Sequence, residues 1–332
     1  MAVYTTIDDP EAYFQTVIYT GNGSADHAIT FGGENALQPD INWIKNRGQA
    51  DSHMIHDSVR GVGEEWSIDV GYPTLAIASA NDLTSFDSDG FTISATTDAV
   101  NKNTETYVSW NWKESVTAGL DIVTFTGNQT NRDISHSLSA VPEFIMIKNR
   151  DHNDGAHVYH VSNGATCTME IATTSAKNCS GVGGIWQDTT PTSSVVKIGT
   201  NGNINKTDSP IFMYIWTSKQ GFSKFGSYEG NGNADGTFVY TGFRPAFVMT
   251  KSVDSTSSWQ IFDNKREGYN VDNDALVAEA NTAEVTTDYI DILSNGFKVR
   301  TTSDPNVAET YIYMAFAEAP FVNSNGVPCN AR

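Results

Sequence analysis

The sequence predicts an all-β protein made of three tandem antiparallel β-sandwich repeats of about 103 residues, jelly-roll-like or Ig-like. The first observation behind this is a period. Pro39, Pro142 and Pro245 are evenly spaced (142 − 39 = 103 and 245 − 142 = 103), and each opens a related phrase. The phrases are Pro39-Asp-Ile-Asn-Trp-Ile-Lys45, Pro142-Glu-Phe-Ile-Met-Ile-Lys148 and Pro245-Ala-Phe-Val-Met-Thr-Lys251. Self-similarity at a fixed spacing sets the architecture before any local reading does. The second observation is strand character. Each phrase is apolar on both faces, and proline is tolerated as its first residue because that residue need not donate to the ladder. The third is turn chemistry: Asp87-Ser-Asp-Gly90, Asn201-Gly-Asn203 and Gly230-Asn-Gly-Asn233 supply positive φ and side-chain-closed turns between the runs.

Other landmarks keep the period. Tyr19-Thr-Gly-Asn22, Phe125-Thr-Gly-Asn128 and Tyr228-Glu-Gly-Asn231 precede the prolines, and an aromatic stretch closes each unit. Those stretches are Tyr107-Val-Ser-Trp-Asn-Trp112, Ile211-Phe-Met-Tyr-Ile-Trp216 and Tyr311-Ile-Tyr-Met-Ala-Phe316. In the first, Val108, Trp110 and Trp112 share one face and Ser109 and Asn111 the other, the period of a half-buried strand. Gly90-Phe91 matches Gly296-Phe297 two periods on, while the second unit carries Val195-Val-Lys-Ile198 there. The units fall at 13–117, 118–221 and 222–320, with an arm at 1–12 and a tail at 321–332. Each unit is long enough for a core of its own, so independent beads are expected, with Trp112, Trp216 and Phe316 each buried in its own unit. A closed ring sharing one core is the alternative. Short helices are expected at Asn273–Ala280 and Pro73–Ala80, and Val3-Tyr-Thr-Thr6 reads as strand-like. Arm and tail either fray or dock on a neighbour by strand addition.

Composition narrows the function classes. Twenty basic residues face 39 acidic ones, a net charge of −19. That surface repels nucleic acid and anionic membranes and keeps the chain soluble. No secretory leader opens the sequence and no apolar run approaches a membrane span, so synthesis in the cytosol and release by another route, such as cell lysis, are expected. Cys167, Cys179 and Cys329 form no framework, which fits a reducing cytosol, although Cys167 and Cys179 can pair if neighbouring strands bring them together.

No residue pattern encodes a reaction. His53-Met-Ile-His56 and His157-Val-Tyr-His160 look like paired metal ligands, yet residues three apart on a strand point to opposite faces. The third unit has Trp259-Gln-Ile-Phe262 there, so a structural role is expected and zinc is not. The loops beginning at Asp87 and Asp151 lack the glutamate of an EF-hand and read as turns. Nucleophile elbow and phosphate loop are both missing, and sequence cannot single out a glycosidase pair among 39 carboxylates. The Asn-x-Ser/Thr triplets carry no meaning without secretion. No catalytic, cofactor-binding or metal residue is expected. Trp43, Trp110, Trp112 and Trp216 lie in the repeat phrases and read as core. Trp66 and Trp186 lie in Gly-rich stretches off the pattern, which makes them the two candidates for stacking on a glycan.

Several phrases carry a family resemblance: Tyr19-Thr-Gly-Asn-Gly23, Gln38-Pro-Asp-Ile-Asn-Trp-Ile-Lys-Asn-Arg47, Asp57-Ser-Val-Arg-Gly61, Ser85-Phe-Asp-Ser-Asp-Gly-Phe91, Tyr107-Val-Ser-Trp-Asn-Trp-Lys113 and Ala315-Phe-Ala-Glu-Ala-Pro-Phe-Val-Asn-Ser-Asn-Gly-Val-Pro328. Together they resemble a repeated domain of marine bacteriophage proteins, from phages of cyanobacteria and of other abundant ocean bacteria. In that family the domain often sits in tail or fibre polypeptides, sometimes beside laminin-G-like lectin domains. The second unit departs from the pattern by lacking the Asp-Gly-Phe phrase, and the third by having Met314 and Phe316 in place of the two tryptophans. The resemblance implies a non-catalytic virion structural protein on the particle surface, tail-associated and adhesin-like, with head decoration as the alternative and a polysaccharide depolymerase a distant third. Its expected partners are other virion proteins, further copies of the chain (a homo-oligomer such as a trimer) and host cell-surface glycans, without nucleic acid or membrane insertion.

Overall fold

The second proline phrase forms the strand Phe144–Asn149, and every residue in it is buried. Successive side chains of a strand point to opposite faces. Accordingly Phe144 and Met146 enter one apolar cluster while Ile145 and Ile147 enter another. The neighbouring Pro210–Trp216 divides the same way, with Phe212, Tyr214 and Trp216 on one side and Ile211, Met213 and Ile215 on the other. A sheet apolar on both faces must be covered on both. That requirement organises the protein, which a computed structural model describes over residues 4–70, 82–94, 97–151, 156–266, 270 and 274–329.

The protein is all-β, with antiparallel pairing in every sheet. Three five-stranded sheets share one strand order. Sheet I runs Phe14–Thr20, Thr106–Trp112, Ile41–Asn46, Met54–Asp57, Glu65–Ser67. Sheet II runs Leu120–Thr126, Pro210–Trp216, Phe144–Asn149, His157–His160, Met169–Glu170. Sheet III runs Ser223–Glu229, Thr310–Pro320, Phe243–Ser252, Gln260–Asp263, Leu276–Val277. The aromatic closing stretch therefore lies between the first strand and the proline phrase each time, covered on both faces; the half-buried strand expected of Tyr107–Trp112 is fully buried.

A small sheet covers the outer face of each large one. Over sheet I it is His27–Thr30, Gly90–Ile93, Leu83–Asp87, and over sheet III it is Phe238–Tyr240, Gly296–Val299, Ile290–Leu293. Over sheet II, among the described residues, only Arg132–Ser135 and Val195–Ile198 remain, with the short helix Gly183–Trp186 packed beside them. The conserved spacing of Gly90-Phe91 and Gly296-Phe297 has a steric cause. A Cβ on Gly90 or Gly296 would lie 2.0 Å from the carbonyl oxygen of Ile29 or Val239.

The inner faces of the three large sheets meet in one aromatic core. Trp112 lies 6.4 Å from Trp216 and 5.6 Å from Phe316, ring centre to ring centre. Phe14 stacks on Phe316 at 5.2 Å, and Phe144 on Phe225 at 5.8 Å. The expectation of independent beads is thereby corrected: Trp112, Trp216 and Phe316 are buried, but against one another. A one-sided sandwich leaves the second apolar face of each large sheet bare, and only the other two sheets can cover it.

Three other expectations change. Leu276–Val277 is a strand of sheet III, so the helix expected at Asn273–Ala280 does not form over its described residues. The helix expected at Pro73–Ala80 lies outside the described residues. The described residues of the arm dock on the body of the chain. Tyr4 Oη donates to Gly242 O at 2.7 Å, Ile7 is buried in the central core, and Asp8 accepts from Ser324 N at 2.6 Å, tying arm to tail.

Candidate functional site

Buried polar residues mark the places where this chain does more than pack. A small set of them joins one sheet to the next. Tyr214 of sheet II donates its hydroxyl to Asp57 Oδ2 of sheet I at 2.6 Å, and Arg60 Nη2 donates to the same hydroxyl at 2.9 Å. Arg60 also pairs with Asp57 through Nε, with both side chains fully buried. One junction further round, Trp110 Nε1 of sheet I donates to Asp263 Oδ2 of sheet III at 3.0 Å, and Arg266 Nε holds that oxygen at 2.6 Å. Asp57-x-x-Arg60 and Asp263-x-x-Arg266 stand two periods apart (263 − 57 = 206), as do Trp110 and Tyr214 one period apart (214 − 110 = 104). The last junction uses His160 of sheet II, whose Nε2 donates to Tyr313 O of sheet III at 3.2 Å. Sheet I thus meets II, II meets III, and III meets I, through the matching positions Asp57, His160 and Asp263, with the backbone of Tyr313 standing where the other junctions use the Tyr214 or Trp110 side chain.

The histidines take separate parts. His53 Nδ1 accepts from Trp43 Nε1 at 2.9 Å, and His160 Nδ1 accepts from Ser162 N at 3.1 Å. Burial pushes His160 down to about 4. Burial, with the Arg60 guanidinium adding to it, takes His56 down to about 3. His157 sits 4.0 Å from Glu170. Each histidine has its own surroundings, in keeping with the opposite facing of strand residues three apart.

The two tryptophans expected to contact glycans are corrected by burial. Trp66 is 2 % exposed and packs edge-on against Phe212 at 5.6 Å; Trp186 is 1 % exposed and packs against Tyr159 at 5.9 Å. A ring with no open face cannot stack on a sugar. Asp87 accepts from Ser85 Oγ at 2.6 Å and from Thr92 Oγ1 at 2.7 Å, closing its own hairpin as a turn. Of the loop expected from Asp151 to Gly155, only Asp151 lies within the described residues.

An open cleft of about 410 Å³ lies instead beside the edge strand of sheet II. Thr168 and Asn178, both in its lining, exchange backbone hydrogen bonds at 2.8 Å, and the Cys167–Cys179 disulfide staples the same two segments. Asn201 caps the helix Gly202–Asn205 by accepting from Asn203 N at 2.8 Å, which brings both asparagines to the opposite wall. His157, Glu170 and Ser180 also line it, beside the apolar Met169, Val182 and Ile185. Amides, hydroxyls and one carboxylate around a shallow opening suit a ligand rich in hydroxyls, which such groups orient by hydrogen bonds. Sequence reading missed this cleft because its walls come from 157–185 and 201–203, and nothing in their spacing announces the meeting.

Two carboxyls titrate far from their usual range. Burial, and a second carboxyl close by, push Glu65 up to about 8 beside Asp82 and Glu114 up to about 7 beside Asp121. Glu114 is otherwise tied into the backbone, accepting from Ile122 N at 2.9 Å. The lysines that end the proline phrases are also buried. Lys45, Lys148 and Lys251 each donate to the next residue's carbonyl, at 2.6, 2.9 and 2.8 Å, and burial lowers Lys45 and Lys251 to about 8. Their recurrence at one period was visible in the sequence, but their burial was not.

A family model covers residues 9–320, from beside the first short helix to the last residue of the strand Thr310–Pro320. The chain belongs to this family, described as a domain of unknown function, DUF7483. No curated protein and no solved structure matches the chain. The family thus brings no catalytic or ligand-binding residue to set against the cleft, whose chemistry must be read from its own side chains.

Proposed function

We propose that this chain is a non-catalytic structural protein of a bacteriophage particle, displayed on the particle surface as a tail-fibre or tail-associated adhesin. In this reading the sequence repeats one two-layer β-sandwich three times, and the copies close on one another. The observation that carries it is the closed body itself. Sheets I, II and III lock pairwise through Asp57–Tyr214, His160–Tyr313 and Trp110–Asp263, and Asp8 ties arm to tail. A body whose three sheets are locked pairwise and whose arm and tail are tied together offers few openings to proteases outside a cell. The Cys167–Cys179 disulfide suits an oxidising surrounding after release. The net charge of −19 disfavours self-association of the particles that would carry it. The phrases that resemble marine phage proteins point the same way. Other virion proteins and further copies of the chain are its partners in assembly, and the cleft between Thr168 and Asn201 takes a host surface glycan.

Mass spectrometry of purified particles tests the reading. The chain is expected among virion proteins at a few to dozens of copies; hundreds of copies assign it to the head lattice, and none at all removes the proposal. For the cleft, Glu170→Gln is expected to weaken glycan-array binding by the intact protein without shifting its melting temperature. Release of reducing ends from host polysaccharide would instead make the protein a depolymerase.

A further inference from the structure

We propose that His56, Glu65 and Asp82 form a binding site for one divalent transition-metal ion of the zinc class. The strands Met54–Asp57 and Glu65–Ser67 pair antiparallel with His56 opposite Glu65, so both side chains leave the same face side by side. Asp82 reaches them from just ahead of the strand Leu83–Asp87. One donor atom from each residue lies within 4.8 Å of the other two. Donors bound at about 2.0–2.2 Å around one ion lie up to about 4.4 Å apart, so small side-chain adjustments close the site. All three residues are buried, at 1 %, 8 % and 0 % exposure for His56, Glu65 and Asp82. One imidazole nitrogen and two carboxylates suit zinc, cobalt or manganese better than calcium, which prefers oxygen alone.

The unpaired imidazole decides between an ion and plain packing. Neither ring nitrogen of His56 has a hydrogen-bond partner, and neither does Glu65 Oε2. A buried polar ring without a partner is costly. The chain avoids that cost at both equivalent places, where an aromatic ring stands instead: Tyr159 one period on, opposite Ile145, and Phe262 two periods on, opposite Val248. His56 keeps an imidazole there, and it faces two carboxylates. Carboxylates this close need a proton or a cation between them. A shared proton would serve the carboxyls and leave the imidazole idle; a metal ion engages all three. Thr97 Oγ1 donates to Asp82 Oδ1 at 2.9 Å, the kind of outer contact that fixes a ligating carboxylate in place.

The test uses the full-length protein stripped with EDTA and titrated with zinc, and separately with cobalt, whose visible spectrum reports nitrogen and oxygen ligation. One equivalent of zinc is expected, with a rise in melting temperature and a cobalt spectrum that zinc abolishes. Glu65→Gln keeps the side-chain shape, and His56→Phe installs the residue found at Phe262. Both are expected to lose zinc affinity by about 100-fold or more, beyond what removal of an outer partner gives, while their metal-free melting temperatures stay at or above that of the stripped parent. If one variant does not fold, the other and the parent stoichiometry still decide. A parent protein whose melting temperature ignores both zinc and EDTA, or variants that bind zinc as tightly as the parent, would overturn the site.

Discussion

Tyr214 and Asp57, 157 residues apart in sequence, share a 2.6 Å hydrogen bond across the junction of sheets I and II. Arg60 completes the group by pairing with Asp57 and donating to Tyr214. Asp57→Ala strips a buried guanidinium of its counter-charge and is expected to cost about 3–5 kcal/mol. Tyr214→Phe leaves the ion pair in place and removes one hydroxyl, for about 1–3 kcal/mol. A double-mutant cycle in urea should give a coupling energy well above zero. Simple additivity would show that the junction does not bear on stability.

Trp112→Ala tests the shared core. Removing this ring, which touches Trp216 and Phe316 from the other two sheets, should cost about 3–5 kcal/mol. Because the three sheets meet there, calorimetry should show one transition displaced as a whole. Separate transitions, with two sheets melting at the parent temperature, would contradict the shared core.

Acid stability should depend on His160. Its folded pKa is lowered to about 4 from an ordinary 6.5, so protonation favours the unfolded chain. Its contribution is intact above pH 6.5 and is lost as pH falls toward 4. His160→Phe forfeits the bond to Tyr313 O and starts less stable, but its stability should fall less steeply over that window, by on the order of 2 kcal/mol. Parallel slopes for parent and variant between pH 7.5 and 4.5 would remove His160 from the acid response.

Gly127 and Gly202 offer a matched pair. A Cβ on Gly127 would sit 2.1 Å from Lys206 O, whereas one on Gly202 meets nothing within 4 Å. Gly127→Ala should therefore cost about 2 kcal/mol or more, and Gly202→Ala should fall within about 0.5 kcal/mol of the parent. Similar melting temperatures for the two variants would show that the Thr-Gly-Asn turn yields more easily than its geometry implies. The same contact recurs at Gly21 with Lys102 O and Gly230 with Val307 O, at 2.3 and 2.0 Å.

Much of the fold was legible because it is written as local chemistry repeated at one period. The proline phrases and aromatic stretches became neighbouring strands of large sheets, and Gly90 and Gly296 became the first strand residues after two-residue hairpin turns. Even the shared core left a trace: Phe144-Ile-Met-Ile147 is apolar on both faces, and a strand buried on both faces needs two covers. A strand pattern says that cover is required without saying what provides it. That was decided by tertiary closure, which set sheets II and III against sheet I and turned Trp112 toward Trp216 and Phe316. The same closure buried Trp66 against Phe212, a contact between sheets that a Gly-rich flank gave no means of foreseeing. Sequence alone determined the class, the period and the turns, since these depend on residues within a few positions of one another. The cleft beside Thr168 and the meeting of His56, Glu65 and Asp82 depend on which strand edges and loops come together in space, and only the folded chain fixes that.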